Sequence, residues 1–200
     1  MNYSIPAQLT VSELEVKKSR FIAYAGHVAD RAMAMALLDD IKARYPDARH
    51  HCWAYQLGNP ASPVSAAMSD DGEPSGTAGK PILNVLQHKA VGDVMVVVVR
   101  YFGGIKLGAG GLVRAYSGAA QQVMEQLPLH TQVALSAVRV SSDFKHEQFI
   151  RHFVQQHNGN IADVQYGERV TMTASLPAPD LPALQEATGG MDVQLSNEEN

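Results

Sequence analysis

The sequence predicts an α+β protein of two units. Three observations carry that prediction. Segments with an apolar period of two alternate with segments of helical period. The run Val94 to Val99 is apolar at every position, as in a strand covered on both faces. After residue 130 the elements follow the order strand, helix, strand, strand, helix, strand. A chain of 200 residues that is 46% hydrophobic and 18% charged can bury one large core or two small ones.

Taken in order, Thr10–Val16 and Arg20–His27 read as a strand pair. Asp30 caps a helix that runs to Tyr45, because Ala34, Leu38, Ile41 and Tyr45 fall at helical spacing and Pro46 stops it. His51–Gly58 and Val64–Met68 read as a second strand pair. The punctuated loop Ser69–Gly79 follows, then a short helix over Pro81–His88 with proline in its first turn. Val94–Tyr101 is the central strand. Beyond Gly103-Gly104, a helix over Gly110–Leu127 carries Leu112, Tyr116, Ala119, Val123 and Leu127 on one stripe, and Pro128 ends it.

A connection near Pro128–Gln132 divides the chain into units 1–130 and 131–200. In the second, Val133–Val140 is strand-like. Asp143 caps a helix striped by Phe149, Ile150, Phe153 and Val154, which Asn158-Gly159 closes. Ile161–Tyr166 and Arg169–Leu176 flank a hairpin turn, Asp180 opens a helix to Thr188, and Met191, Val193 and Leu195 alternate in a last strand. This βαββαβ order is the ferredoxin-like pattern. Ser196–Asn200 reads as a frayed tail.

Charge and cysteine usage narrow the function classes. Residues 1–130 hold 12 Lys and Arg against 11 Asp and Glu, and residues 131–200 hold 4 against 9, so neither unit is a basic wrapper for nucleic acid. Cations cluster only locally, at Lys17, Lys18 and Arg20 and at Lys106 and Arg114; a solvated strand face is the alternative reading of the first group. The single Cys52 excludes an internal disulfide and a cysteine zinc site, which fits a reducing cytoplasm. Neither a signal peptide nor an apolar stretch of membrane-spanning length is present, so no membrane partner is expected.

The glycine-rich segments fail two phosphate-loop tests. Gly79-Lys80 has Pro74 where a Walker A loop needs glycine and Pro81 where it needs Ser or Thr. A dinucleotide fingerprint from Gly108 meets Val113 where the third glycine belongs. What survives is the segment 103–111 between a buried strand and a helix start. There the N–H groups around Gly108, Gly110 and Gly111, with Lys106 and Arg114, are candidates for holding an anion; the alternative is that these glycines serve close packing alone.

Asp70, Asp71 and Glu73 lie within four residues and invite a shared cation or a general base, but not at EF-hand spacing, and a hydrogen-bonded polar turn is the alternative. His50 and His51 are neighbours on a strand and point to opposite faces, so they do not form one metal site, and His51 is no evident base for Cys52. Trp53 and Tyr55 share a strand face, for base stacking or for core packing. No metal and no cofactor is implied.

Two long motifs then carry a resemblance. Asp70-Asp71-Gly72-Glu73-Pro74-Ser75-Gly76-Thr77-Ala78-Gly79-Lys80-Pro81 is followed by Val99-Arg100-Tyr101-Phe102-Gly103-Gly104-Ile105-Lys106-Leu107-Gly108 and by Gly110-Gly111-Leu112-Val113-Arg114-Ala115-Tyr116. With Lys17-Lys18-Ser19-Arg20-Phe21 and His50-His51-Cys52, these resemble the bacterial, YigZ-like branch of the IMPACT family over nearly the whole chain. Ala109 departs from the pattern, since many members carry Thr there.

The resemblance implies a ribosomal-protein or elongation-factor type N-terminal domain, similar to domain IV of elongation factor G, and a C-terminal domain similar to its domain V. It marks His51, Asp70, Asp71, Glu73, Lys80 and Arg100 as motif residues and assigns no catalytic ones. Eukaryotic relatives regulate translation with the help of an additional N-terminal domain of another kind. Three functions follow as expectations. The first is a non-enzymatic translation-associated protein contacting RNA or the ribosome, with Lys18, Arg20 and Lys106 as candidate contacts. The second is an enzyme or sensor for a small phosphorylated ligand. The third is a protein-interaction module.

Overall fold

A computed structural model describes residues 2–133 and 135–197. The chain divides into two compact units on either side of the Gln132–Val133 bond.

In the first unit, strands β2 (Thr10–Val16), β3 (Ser19–His27), β4 (His50–Leu57), β5 (Ser65–Ser69) and β6 (Val94–Tyr101) form an antiparallel sheet in the order β2-β3-β6-β4-β5. The apolar run therefore lies at the sheet's centre. Val94, Val96 and Val98 face helices α2 (Gly79–Lys89) and α3 (Ala109–Gln126), while Met95, Val97 and Val99 face helix α1 (Arg31–Arg44). Burial on both faces explains why β6 lacks polar alternation. Asp30 caps α1, accepting from Met33 N at 2.8 Å. Trp53 and Tyr55 stack at 5.8 Å and pack on the α1 side of the sheet, as core residues.

The connection at residues 129–132 holds structure of its own: it forms strand β7 (Leu129–Gln132), antiparallel to β1 (Tyr3–Pro6), so this segment is tied to the chain's beginning. One expectation needs correction. Helix α2 starts at Gly79, not Pro81, because a carboxylate from the preceding loop caps it.

In the second unit, strands β8 (Leu135–Ser142), β9 (Asn160–Tyr166), β10 (Val170–Pro177) and β11 (Val193–Asn197) pair in the order β11-β8-β10-β9, all antiparallel. Helices α4 (Glu147–Gln156) and α5 (Leu181–Thr188) complete the βαββαβ order. Val140, Met172, Leu176, Ile150 and Leu184 are buried together in its core. The strict alternation of β10 matches one buried face and one half-buried face. Part of the expected tail, residues 198–200, lies outside the described residues; Ser196 and Asn197 belong to β11.

Candidate functional site

The chemistry of the two glycine motifs meets at one end of the five-stranded sheet. Residue parity on the strands decides what arrives there. His50 pairs with Arg100, so both project to the α2/α3 side, whereas His51 pairs with Val99 and projects to the α1 side. His51 takes its place between the Tyr45 carbonyl, 3.2 Å from Nε2, and the Asp71 carboxylate, 3.8 Å from Nδ1. Burial lowers its pKa against the opposing pull of these partners, so the ring is neutral at pH 7 and this contact is not an ion pair there.

The three carboxylates of the first motif diverge, and each has a different task. Asp70 accepts from Gly76 N at 2.8 Å through one oxygen, and from Ala78 N at 3.0 Å and Gly79 N at 2.8 Å through the other. Burial alone would raise its pKa, but the three N–H donors outweigh it and hold the carboxyl below its ordinary range. Asp71 accepts from His51 N at 2.6 Å, and its carbonyl meets His50 Nδ1 at 2.8 Å. Glu73 turns inward, where one oxygen accepts from Arg100 Nη1 at 2.6 Å and from the Tyr116 hydroxyl at 2.8 Å. They do not converge on a common cation.

This inner network is nearly dry. The Arg100 and Glu73 side chains are 9% and 4% exposed. Arg100 lies 5.6 Å from the Phe21 ring centre and 5.8 Å from that of Phe102. Cys52 Sγ is 3.3 Å from the Tyr116 hydroxyl and 3.0 Å from the Asp70 carbonyl. Burial pushes the Cys52 thiol up to about 12, so it is not a thiolate nucleophile. Burial also drives the Tyr116 phenol well above its ordinary value, with Cys52 and Glu73 adding to the shift. One buried polar atom here has no partner among the described residues, Arg100 Nε.

Above the network opens a cleft of about 640 Å³, lined by Arg49, His50, Glu73, Arg100, Phe102 and Lys106 together with the start of α3; Asp47 is the other carboxylate on its wall. The volume is in the range of small-ligand sites. Gly108, the N-cap of α3, adopts φ 72° and ψ 166°, which glycine alone reaches without strain. Among the described residues no side chain caps this helix, and no acidic residue occupies its first turn. Leu112 N is the first amide bonded back, to Gly108 O at 2.9 Å, which leaves the preceding amides of the helix start available. The positive end of an 18-residue helix thus faces a cleft with three cationic side chains.

Among the sequence candidates, Glu73, Arg100, Lys106 and Gly108 line the cleft. Gly110 and Gly111 follow in the first turn of α3. Arg114 does not line it; its Nη1 folds back to within 3.8 Å of where a Cβ on Gly110 would stand. Lys80 is exposed on α2, and Lys18 sits at the β2–β3 turn. Arg20 is held by Glu13 in two hydrogen bonds of 2.8 and 3.0 Å. Arg49 is a site residue that sequence reasoning misses. Its place depends on strand register, and the pairing of its neighbour His50 with Arg100 is the signal that finds it.

The second motif and this cleft both fall within residues 17–124, which match the Impact N-terminal domain. The chain belongs to the IMPACT family. Residues 140–190 match a domain of unknown function, DUF1949. An IMPACT family member of Haemophilus influenzae is 35% identical over 96% of each chain. The IMPACT family member YigZ of Escherichia coli is 40% identical over 88% of this chain and 87% of its own. These relatives set the protein in the bacterial, YigZ-like branch. A crystal structure of a hypothetical protein, 37% identical, covers 100% of this chain and 98% of its own with a TM-score of 0.81. The mixed α/β architecture is therefore shared with a solved relative. No described helix is long and apolar enough to cross a membrane.

Proposed function

We propose that this protein is a non-enzymatic, translation-associated binding protein that holds a phosphate group of RNA in the Arg49–Arg100–Lys106 cleft. The observation that carries this reading is the uncapped start of α3 opening on that cleft. Unbonded amides and the helix dipole favour an anion, and neighbouring cations add charge-assisted contacts. The setting in translation, in the cytoplasm, rests on the family resemblance to eukaryotic regulators and on the likeness to domains IV and V of elongation factor G. In the same reading the two units are independent domains, and the βαββαβ unit is ferredoxin-like. A fragment from Val133 onward would then melt cooperatively by itself; a fragment without such a transition counts against it.

A second reading, a small phosphorylated ligand, draws on the cleft's volume. One experiment separates the two. Inorganic phosphate, a nucleoside monophosphate and a short RNA are each added to the protein, and melting temperature and affinity are measured. The RNA reading expects phosphate to raise the melting temperature, RNA to bind more tightly than the monophosphate, and Lys106→Ala to weaken both. A monophosphate that binds as tightly as RNA supports the small ligand. No stabilisation by phosphate, with RNA affinity unchanged by Lys106→Ala, overturns both.

A further inference from the structure

The β2–β3 connection is a two-residue turn, Lys17-Lys18, closed by the pairing of Val16 with Ser19. Both residues have positive φ, 47° and 64°. Tight hairpins favour Asn-Gly at such positions, because Gly has no Cβ and the short polar Asn side chain tolerates the left-handed region that strains longer side chains. Two lysines are thus held at a place that local stability would give to other residues. Both are exposed, and neither takes part in an ion pair among the described residues.

The turn is fixed to the rim of the cleft. A Cβ on Gly103 would overlap the carbonyl carbon and oxygen of Lys18, so only glycine permits this close approach. Gly103 N also donates to Ser19 Oγ at 3.2 Å. On either side of Gly103 in sequence stand Phe102 and Lys106, both on the cleft wall. Phe102 is 58% exposed, a large ring left in solvent beside the Arg100 guanidinium.

We propose that the cleft, the Phe102 ring and the Lys17-Lys18 turn form one continuous path for single-stranded RNA. This path rests on the phosphate reading of the cleft and deepens it. One phosphate lies at the start of α3, an unpaired base stacks on Phe102, and further phosphates meet Lys17 and Lys18. A monophosphate would leave the turn's two charges without a role. An RNA duplex would leave Phe102 without one, since only an unstacked base offers its face to a side chain. Arg100, its side chain more than nine-tenths buried and its Nε unpartnered among the described residues, lines the path's inner end.

The double variant Lys17→Asn, Lys18→Gly tests this without damaging the fold, because Asn-Gly suits the turn better than Lys-Lys. Its melting temperature should equal or exceed that of the wild type, and inorganic phosphate should stabilise it as before. Its affinity for single-stranded RNA should fall. The slope of log affinity against log salt should become shallower by about 1.4, because each single-strand phosphate deprived of its lysine removes about 0.7. Phe102→Ala should weaken RNA binding by about 5- to 150-fold. RNA affinity and salt slope unchanged in the turn variant overturn the path while the cleft reading stands. Duplex RNA bound as tightly as single-stranded RNA overturns it as well. If phosphate fails to stabilise even the wild type, the cleft reading fails and the path with it.

Discussion

Helices α2 and α3 both begin after glycine-bearing loops on the same face of one sheet, yet their N-termini are treated in opposite ways. The start of α2 is closed by a carboxylate from its own loop, Asp70, which takes the amides of Ala78 and Gly79. Among the described residues no side chain caps the start of α3, and it borders a cleft with Arg49, Arg100 and Lys106. A helix start satisfied internally is a structural joint, and one left open beside cations is where an anion is proposed to bind. The same composition of glycine and charge thus yields two different devices.

The largest expected effects break the scaffold around the two helix starts. Gly103→Ala forces a Cβ into the Lys18 backbone, which cannot yield as a flexible side chain would, and should cost about 4 kcal/mol or more in chemical denaturation. Glu73→Ala leaves Arg100 buried without its counter-charge and should cost about 3–5 kcal/mol by the same measurement.

A step smaller is Asp70→Ala, which opens the α2 end and should cost about 2 kcal/mol, near the upper end for a cap because three amides lose their acceptor. The same cap gives an acid signature. The Asp70 carboxyl is held below its ordinary value of 3.8 in the folded protein, so its contribution is complete above that pH and is lost as pH falls through the lowered folded value. Denaturation followed from pH 6 down to pH 3 should show a steeper loss in the wild type than in Asp70→Ala.

The smallest effect on stability sharpens the comparison most. Ala109→Glu places a carboxylate in the first turn of α3, making it resemble the α2 end. It should stabilise the protein by about 0.3–1 kcal/mol and abolish stabilisation by phosphate, seen in paired melting curves with and without the anion.

How far the sequence leads differs between fold and site. Asp30 as a cap, Val94–Tyr101 as the central strand and the alternation of β10 are legible because each signal is local. The β1–β7 pair is not, since two four-residue strands on either side of the whole first sheet carry no period of their own. The start of α2 falls two residues earlier than its proline suggests, for a related reason. Its cap is contributed from nine residues upstream, where no capping rule looks. In the site, the strand–glycine–helix segment is readable, but the separate roles of Asp70, Asp71 and Glu73 are not. Three carboxylates in one turn look alike until the fold shows which amides, ring or guanidinium each one meets.

The most direct test of the contrast between the two helix starts is a phosphate titration followed by backbone amide resonances. The account predicts saturable shifts at Ala109, Gly110 and Gly111, with Ala78 and Gly79 unmoved because Asp70 already occupies them. Shifts at Ala78 and Gly79 in place of the α3 amides, or no saturable shift at either end, would contradict it.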